Sequence, residues 1–252
     1  MTASSDIILR TENLGKRFGG FTALKGVSVD FRRGGITSII GPNGAGKSTY
    51  FNLLSGAFAP SEGRIIFEGR DITGAPQHSF AHLGISKSFQ ITTVFPQLTT
   101  HENIRVAAQA LVSQFNIWRP REDLAELGRT ADELLELVGL ADRRRWLAGT
   151  LAHGEQRALE IGMALACRPR LLLLDEPTAG MSPEETIAMM VLIRKLATQR
   201  TIILVEHKMK LVLGVSERIL VLHHGELLAE GAPDEIRRNE LVKSVYLGKR
   251  EH

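Results

Sequence analysis

The sequence is poor in the features of secreted and membrane-spanning proteins. Its 252 residues include one cysteine, Cys167, so no internal disulfide can form, and the apolar helical pattern around it predicts a buried structural thiol. No run of Val, Ile and Leu exceeds four residues, as in residues 171–174, which is far too short to span a bilayer. The first residues lack the basic and apolar regions of a signal peptide, so we expect a cytosolic chain.

The charge is also nearly balanced. Lys plus Arg number 31 against 28 Asp plus Glu, which leaves a net charge of +3. The basic residues are scattered, and the run at residues 143–145 has no interleaved aromatics, so we expect no nucleic-acid partner. With 43% apolar residues, the chain can build a sizeable core in one large or two small domains.

The most informative segment is the phosphate loop, residues 41–49, which reads Gly-Pro-Asn-Gly-Ala-Gly-Lys-Ser-Thr after the apolar residues 36–40. This order of strand, glycine-rich turn, lysine and hydroxyl predicts a cradle for nucleotide phosphates. Its glycines let backbone N–H groups turn towards an anion, and the following helix adds its positive end. Lys47 is suited to reach the β- and γ-phosphates and Ser48 to hold Mg²⁺. The alternative is an ordinary glycine-rich turn.

A second segment ends in two carboxylates. The four leucines at residues 171–174 are followed by Asp175 and Glu176. Ligands bind at the carboxyl ends of strands in open α/β sheets, so we expect this pair at the same edge as the phosphate loop. Asp175 is suited to hold Mg²⁺, and Glu176 to polarise a water for attack on the γ-phosphate. The alternative is an acidic pair that only ends a strand.

The remaining pattern predicts strands on both sides of a helical block. The helical spacing of apolar residues runs from about residue 98 to 168, and a helix begins again at Ser182 and Pro183. The return to strands after the block forms a β-α-β unit, whose strands should be parallel. The predicted strands are residues 7–14, 24–31, 36–40, 64–68, 171–174 and 201–205, with two more short strands and two short helices at the end.

Several segments occur in the order and spacing of the nucleotide-binding subunits of ATP-binding cassette (ABC) transporters, which the chain resembles over nearly its whole length. The most discriminating is the signature segment, residues 151–156. The resemblance implies one ABC ATPase domain over residues 1–252, of the α/β class. It comprises a P-loop NTPase RecA-like core with an N-terminal antiparallel β subdomain, residues 1–97 and 168–252, and an inserted α-helical signature subdomain at about residues 98–167.

The resemblance also implies residue roles. Glu176 is the catalytic base, His207 contacts the γ-phosphate, and Gln90 lies near Mg²⁺ and the attacking water. Phe18 is expected to stack on adenine. Taken singly, Phe18 is as well explained as a core aromatic, Gln90 as a capping amide and His207 as a surface histidine. The predicted Mg²⁺ ligands are Ser48, Gln90 and Asp175, and the predicted ATP-binding residues are Phe18, Gly41, Pro42, Asn43, Gly44, Ala45, Gly46, Lys47, Ser48 and Thr49.

The signature segment further implies a second subunit. Its helix start should present free N–H groups to an ATP molecule bound to a partner ABC ATPase, in a homo- or heterodimer that holds two ATP molecules. Two positions depart from the family pattern: Ala152 replaces a serine, which removes a hydrogen bond of about 1 kcal/mol, and Ser182 replaces an aspartate. The residues expected to contact the partner's ATP are Leu151, Ala152, His153, Gly154, Glu155 and Gln156.

Three segments, residues 18–24, 151–161 and 245–248, resemble the larger ATPase subunit of branched-chain amino acid importers, a group that also serves amides and urea. The resemblance implies two integral-membrane permeases, a periplasmic solute-binding protein that acts indirectly, and a peripheral place on the cytoplasmic face of the inner membrane. We expect residues 90–98 to dock a permease helix, through Ile91, Val94, Phe95 and Leu98; the equal alternative is that these residues belong to the core of the helical block.

Three other functions remain open from the sequence. A soluble ABC ATPase acting in repair, translation or cofactor assembly would use the same motifs, and another solute would use the same cassette. A small-molecule kinase explains the phosphate loop but leaves the signature segment and His207 without a role.

Overall fold

The computed structural model describes residues 6–88, 94–109 and 121–247. The strands in these ranges are β1 (Ile7–Phe18), β2 (Phe21–Arg32), β3 (Ile36–Ile40), β4 (Glu62–Phe67), β5 (Arg70–Asp71), β6 (Ile85–Lys87), β7 (Leu171–Asp175), β8 (Thr201–Val205), β9 (Arg218–His223) and β10 (Glu226–Gly231). The α-helices are α1 (Lys47–Leu54), α2 (Gln77–Leu83), α3 (Thr100–Gln109), α4 (Arg121–Leu137), α5 (His153–Ala166), α6 (Pro183–Ala197), α7 (Met209–Val215), α8 (Pro233–Arg238) and α9 (Glu240–Leu247).

The strands form two sheets. One is antiparallel, with the order β2-β1-β4-β5, and is built around the two twelve-residue strands β1 and β2. The other has the order β10-β9-β3-β8-β7-β6, in which β9, β3, β8, β7 and β6 are parallel and β10 is antiparallel. Every residue of β3, β7 and β8 is buried, which explains their nearly continuous apolar sequences.

The order of the second sheet places the functional segments together. Strands β3, β8 and β7 are neighbours and run in the same direction. The phosphate loop follows β3, Asp175 ends β7, and His207 comes two residues after β8. All three segments therefore lie at the carboxyl edge of one sheet, as the sequence predicts.

Helices α3, α4 and α5 pack on one another and share an apolar core with α6 and one face of the parallel sheet. The buried face of α4 follows the predicted helical spacing and consists of Leu127, Ala131, Leu134 and Leu135, and the buried Val138 follows directly after the helix. Among the helices that the structure describes, none has the length and hydropathy needed to cross a membrane.

The α/β fold class, with its antiparallel sheet and parallel core sheet, is confirmed. Four elements are absent from the sequence expectations: α2, β5, β6 and α7 have two to seven residues each, too short for a clear period. Strand β1 extends to Phe18, beyond the predicted end at residue 14, because it pairs with β2 up to the turn at Gly19 and Gly20.

Candidate nucleotide site

The phosphate loop needs glycine at two positions for different reasons. At Gly46, φ is +96°, and a Cβ atom would lie 2.8 Å from the carbonyl oxygen of Ala23. At Gly41, a Cβ atom would lie 2.3 Å from the carbonyl oxygen of Leu222 on β9. Larger residues would therefore push the loop away from the strands that hold it.

Lys47 begins helix α1 and bends back over the loop. Its Nζ donates hydrogen bonds to the carbonyl oxygens of Gly41, at 2.7 Å, and Pro42, at 2.9 Å. Burial lowers the pKa of Lys47, and the carboxylates of Glu176 and then Asp175 oppose that shift. The ammonium group is thus close to both acids, as the sheet order requires.

A cavity of about 360 Å³ opens over the loop. It is lined by residues 43–49 together with Phe21, Ala23 and Glu176. The Ser48 residue is exposed at this opening, whereas Ala45 and Lys47 are buried beneath it. The predicted nucleotide-binding loop and the predicted catalytic acid therefore share one cavity.

Asp175 is nearly buried at the end of β7. Burial raises its pKa, and the strongest opposing influence is the positive charge of Lys87, followed by smaller effects of neighbouring charges. Lys87 ends β6, the strand next to β7, and its Nζ donates to Asn52 Oδ1 at 2.7 Å. Sequence reasoning missed Lys87, because the short strand that places it there shows no period of its own.

Glu176 has an unusual backbone. Its φ is +46°, in the left-handed region, and its N–H donates to the carbonyl oxygen of Val205 at 2.9 Å. The Oε1 atom lies 3.6 Å from Nδ1 of His207, whose side chain is 53% exposed. The predicted base is therefore adjacent to His207, the residue expected to contact the γ-phosphate.

The predicted adenine-stacking residue does not line this cavity. Phe18 is 43% exposed and packs edge-to-face on Phe58, with ring centroids 5.4 Å apart. Lys16 Nζ lies 5.1 Å from the centroid of the Phe18 ring. Phe21, across the turn from Phe18, is 66% exposed and lines the cavity. The alternation along β1 and β2 held no signal that distinguishes these two aromatics.

The signature segment begins helix α5. Leu151 is buried, Gln156 Nε2 donates to the carbonyl oxygen of Leu151 at 3.2 Å, and Ala152 and His153 are exposed. The Ala152 N–H donates to Glu155 Oε2 at 3.0 Å. Since alanine has no oxygen to return the bond, only half of a capping box forms.

One expectation about this helix start is wrong. The N–H of Gly154 is not free but donates to Glu185 Oε1 at 3.1 Å, and Glu185 Oε2 accepts from the N–H of Ser182 at 2.9 Å. These two backbone donors, Ser182 first, lower the pKa of Glu185. A carboxylate of the same chain already bonds to the helix start because a helix N-terminus attracts any nearby anion.

The predicted Mg²⁺ ligands fit that ion only as a partial set. Among the described residues, no group of three or more His, Cys, Asp or Glu is arranged to hold a metal. A buried carboxylate, Asp175, and an exposed hydroxyl, Ser48, suit Mg²⁺, which takes few protein ligands and completes its octahedron with phosphate and water. Gln90, the third predicted ligand, lies outside the described residues.

Comparisons with known proteins place the chain in a family. Residues 24–179 match the family described as ABC transporter, and residues 226–252 match the family described as branched-chain amino acid ATP-binding cassette transporter. The chain is 41% identical over 250 residues to the high-affinity branched-chain amino acid transport ATP-binding protein BraF of Pseudomonas aeruginosa, with 96% of this chain and 98% of that protein covered.

Two solved structures extend the comparison. An ATP-binding cassette of an ABC transporter in its ADP conformation superposes with a TM-score of 0.84 at 33% identity, over 96% of this chain and 99% of that one. A dimeric cassette in a post-hydrolysis state, bound to ADP and Pi, superposes with a TM-score of 0.75 at 26% identity, over 90% of this chain and 99% of that one. The chain therefore belongs to the ABC transporter family, as one of its ATP-binding cassettes.

Proposed function

We propose that the chain is the ATP-hydrolysing subunit of an importer for branched-chain amino acids. The observation that carries the hydrolysis is the meeting of Lys47 and Glu176 in the phosphate-loop cavity, with Asp175 close to Lys47 and His207 Nδ1 3.6 Å from Glu176 Oε1. The observation that carries the solute is the identity of 41% to BraF, reinforced by the family match at residues 226–252.

In this proposal the loop amides and Lys47 bind the β- and γ-phosphates, and Glu176 accepts the proton of the attacking water. Mg²⁺, when bound through Ser48 and Asp175, neutralises charge on the phosphates. His207 is adjacent to Glu176 and positions the reacting groups at the γ-phosphate. Water is therefore the acceptor of the phosphoryl group, whereas a kinase would require a substrate hydroxyl.

We propose that the site is completed by a second cassette. None of the residues that line the phosphate-loop cavity belongs to the start of α5, which is exposed, so we infer that this helix start serves a nucleotide on a partner. The similar dimeric cassette bound to ADP and Pi supports this arrangement. Closure by ATP and opening after hydrolysis would then be a ligand-driven population shift. Both a homodimer and a heterodimer with a related cassette fit this surface.

We propose that a permease helix docks beside residues 90–98, and that the transporter has two permeases. Within the described part of that segment, Phe95 is 47% exposed while Val94 packs on the core shared by α3 to α6, so both sequence interpretations apply to neighbouring residues. A cavity of about 560 Å³ lies between α2, β6 and α5 and includes Phe80, Met163 and Ala164. An apolar helix fits such a groove, which would place the chain at the cytoplasmic face of the membrane, with the binding protein acting from the other side.

The test is reconstitution. The purified chain should hydrolyse ATP with Mg²⁺; if it does not, the enzymatic proposal fails. Co-expressed with the permeases and binding protein of its own operon, it should purify with them and drive uptake of leucine, isoleucine and valine into proteoliposomes. Uptake of amides or urea instead would overturn the solute, and failure to associate with any integral membrane permease would favour the soluble ABC ATPase.

A matched pair of variants tests the docking groove. Ala164→Glu places a carboxylate in it and should reduce co-purification with the permeases, whereas Ala164→Ser, which is polar but small, should not. ATP binding should be the same in both, because Ala164 lies near the end of α5 and the signature segment lies at its start.

A further inference from the structure

Glu206 follows strand β8 directly and lies at the same sheet edge as Glu176. Its side chain is 0% exposed, while the side chain of the next residue, His207, is 53% exposed. A buried carboxylate is unfavourable unless several donors bond to it. The burial of this one therefore points to a structural demand at the site.

Three donors satisfy the Glu206 carboxylate. The hydroxyl of Thr178 donates to Oε1. The backbone N–H groups of His207, at 3.1 Å, and Lys208, at 3.4 Å, donate to Oε2. Lys208 Nζ in turn donates to the carbonyl oxygen of Thr178 at 3.1 Å. The carboxylate thus joins the loop after β7 to the loop after β8.

These two loops hold the predicted reacting groups. Glu176 lies two residues before Thr178, and its N–H is fixed to Val205 of β8. His207 lies one residue after Glu206, with its Nδ1 3.6 Å from Glu176 Oε1. Any shift of one loop against the other changes that separation.

We propose that Glu206 is a positioning residue for ATP hydrolysis, which keeps His207 and Glu176 in register by bonding to both loops. The inference rests on the proposed function, because it concerns the geometry of the same reaction. Glu206 itself does not contact the nucleotide; it acts through the backbone of His207 and the hydroxyl of Thr178.

The role is geometric rather than electrostatic, and the chemistry of glutamine separates the two. A glutamine at position 206 can keep its carbonyl oxygen at the Oε2 place, for the His207 and Lys208 N–H groups. Its NH₂ group can donate to the Thr178 hydroxyl, which is both donor and acceptor. The bridge survives with the polarity of one bond reversed, whereas alanine removes it entirely.

The experiment compares Glu206→Gln and Glu206→Ala in the full chain, with Thr178→Val and Thr178→Ser as a second pair. Glu206→Ala should lower kcat by about 10- to 100-fold with KM for ATP near that of the parent, because misplaced reacting groups cost turnover more than binding. Glu206→Gln should stay within about threefold of the parent, because its amide can keep the three contacts of the bridge. Thr178→Val, which lacks the hydroxyl, should lower kcat, whereas Thr178→Ser, which keeps it, should have a kcat near that of the parent.

A second readout does not use activity. In spectra of the chain labelled at its 8 histidines, the amide proton of His207, assigned with His207→Ala, should move upfield in Glu206→Ala and much less in Glu206→Gln. A parent-like kcat in Glu206→Ala would overturn the proposal. It would also be overturned if Glu206→Ala left the His207 amide unmoved, lowered the melting temperature and weakened ATP binding by the same factor as kcat. Glu206→Gln as impaired as Glu206→Ala would show a charge effect and overturn the geometric role. If the parent chain hydrolyses no ATP, the proposed function fails, while the His207 amide still tests the bridge.

Discussion

The phosphate loop and the signature segment bind the same kind of ligand in the proposed function, yet the chain builds them differently. The loop follows a buried strand, Gly41 and Gly46 leave no room for a side chain against neighbouring backbone, and the lysine is buried beside two acids. The signature segment is a surface helix start with exposed Ala152 and His153, where Glu185 already accepts the Gly154 N–H.

In the proposed function, these two segments are the loop half and the signature half of one ATP site. The loop half depends on folding, and the signature half depends on assembly. Donors and acids of the loop are fixed by core packing, so one chain suffices to place them. The Gly154 N–H is satisfied by the carboxylate of Glu185, which a stronger anion can replace, so in the proposed dimer its final geometry depends on the partner's ATP. Substitutions in the loop half should therefore change turnover, ATP binding or stability, and those in the signature half should change dimer affinity.

The largest effect should come from Glu176→Gln in the loop half. The change removes the base but keeps the shape, so kcat should fall by about 10²- to 10⁴-fold while ATP affinity stays the same. Steady-state hydrolysis and equilibrium binding of ATP measure the two quantities. Turnover at the parent rate would remove Glu176 from the role of base.

Lys47→Ala should act on binding instead. Lost charge-assisted bonds to the phosphates are worth about 1.5–3 kcal/mol, so ATP affinity should fall by about 10- to 150-fold. Calorimetry with Mg-ATP provides the measurement, and Lys25→Ala, which removes an exposed lysine that pairs with Glu226, is the control for net charge. Unchanged affinity in Lys47→Ala would contradict the cradle.

In the signature half, Glu185→Gln should strengthen the ATP-dependent dimer. The neutral amide holds the Gly154 N–H less strongly than a carboxylate and repels phosphate less, so dimer affinity should rise by about fivefold. Sedimentation of a Glu176→Gln background with ATP, alone or with the partner cassette, measures it. Glu184→Gln removes the same charge from the same helical turn and should have little effect; an equal gain there would indicate net charge alone.

Ala152→Ser should produce a smaller gain at the same helix start. The restored hydroxyl adds one donor for the partner's ATP, for about a threefold rise in dimer affinity under the same assay. Ala152→Cys is similar in size with a weaker donor, and it should change affinity less. No change with serine would mean that the backbone donors suffice without the hydroxyl.

The sequence predicted the loop half better than the signature half, for physical reasons. Buried strands such as β3 and β7 leave continuous apolar runs that end at Gly41 and Asp175, so both the edge and its residues were readable. Glu206 and Lys87 were missed because burial by tertiary contacts leaves no local pattern. The bond from Gly154 to Glu185 joins two helices 31 residues apart, and its geometry depends on how α5 packs near α6. The expectation that the Gly154 N–H is free was therefore wrong, because its acceptor comes from another helix.

The smallest effect should be one on stability, from Asp175→Asn in the loop half. The folded pKa of Asp175 is raised, chiefly by burial, so the protonated form gains on folding. The stability that this gain contributes is complete below the unfolded pKa and is lost as pH rises through the folded pKa, so at neutral pH the ionised acid is a liability. A neutral amide should then raise the melting temperature of the nucleotide-free chain, by a few degrees at most, since such a chain changes by about 2–4 °C per kcal/mol.

Scanning calorimetry from neutral to acidic pH should show the difference between variant and parent shrinking as Asp175 becomes protonated. Asp30→Asn, which breaks a surface pair with Arg10, should give no such gain. A lower melting temperature for Asp175→Asn at neutral pH would mean that the attraction of Lys87 and the other positive charges outweighs the cost of burying the carboxylate. The ionised Asp175 would then stabilise the folded chain rather than destabilise it.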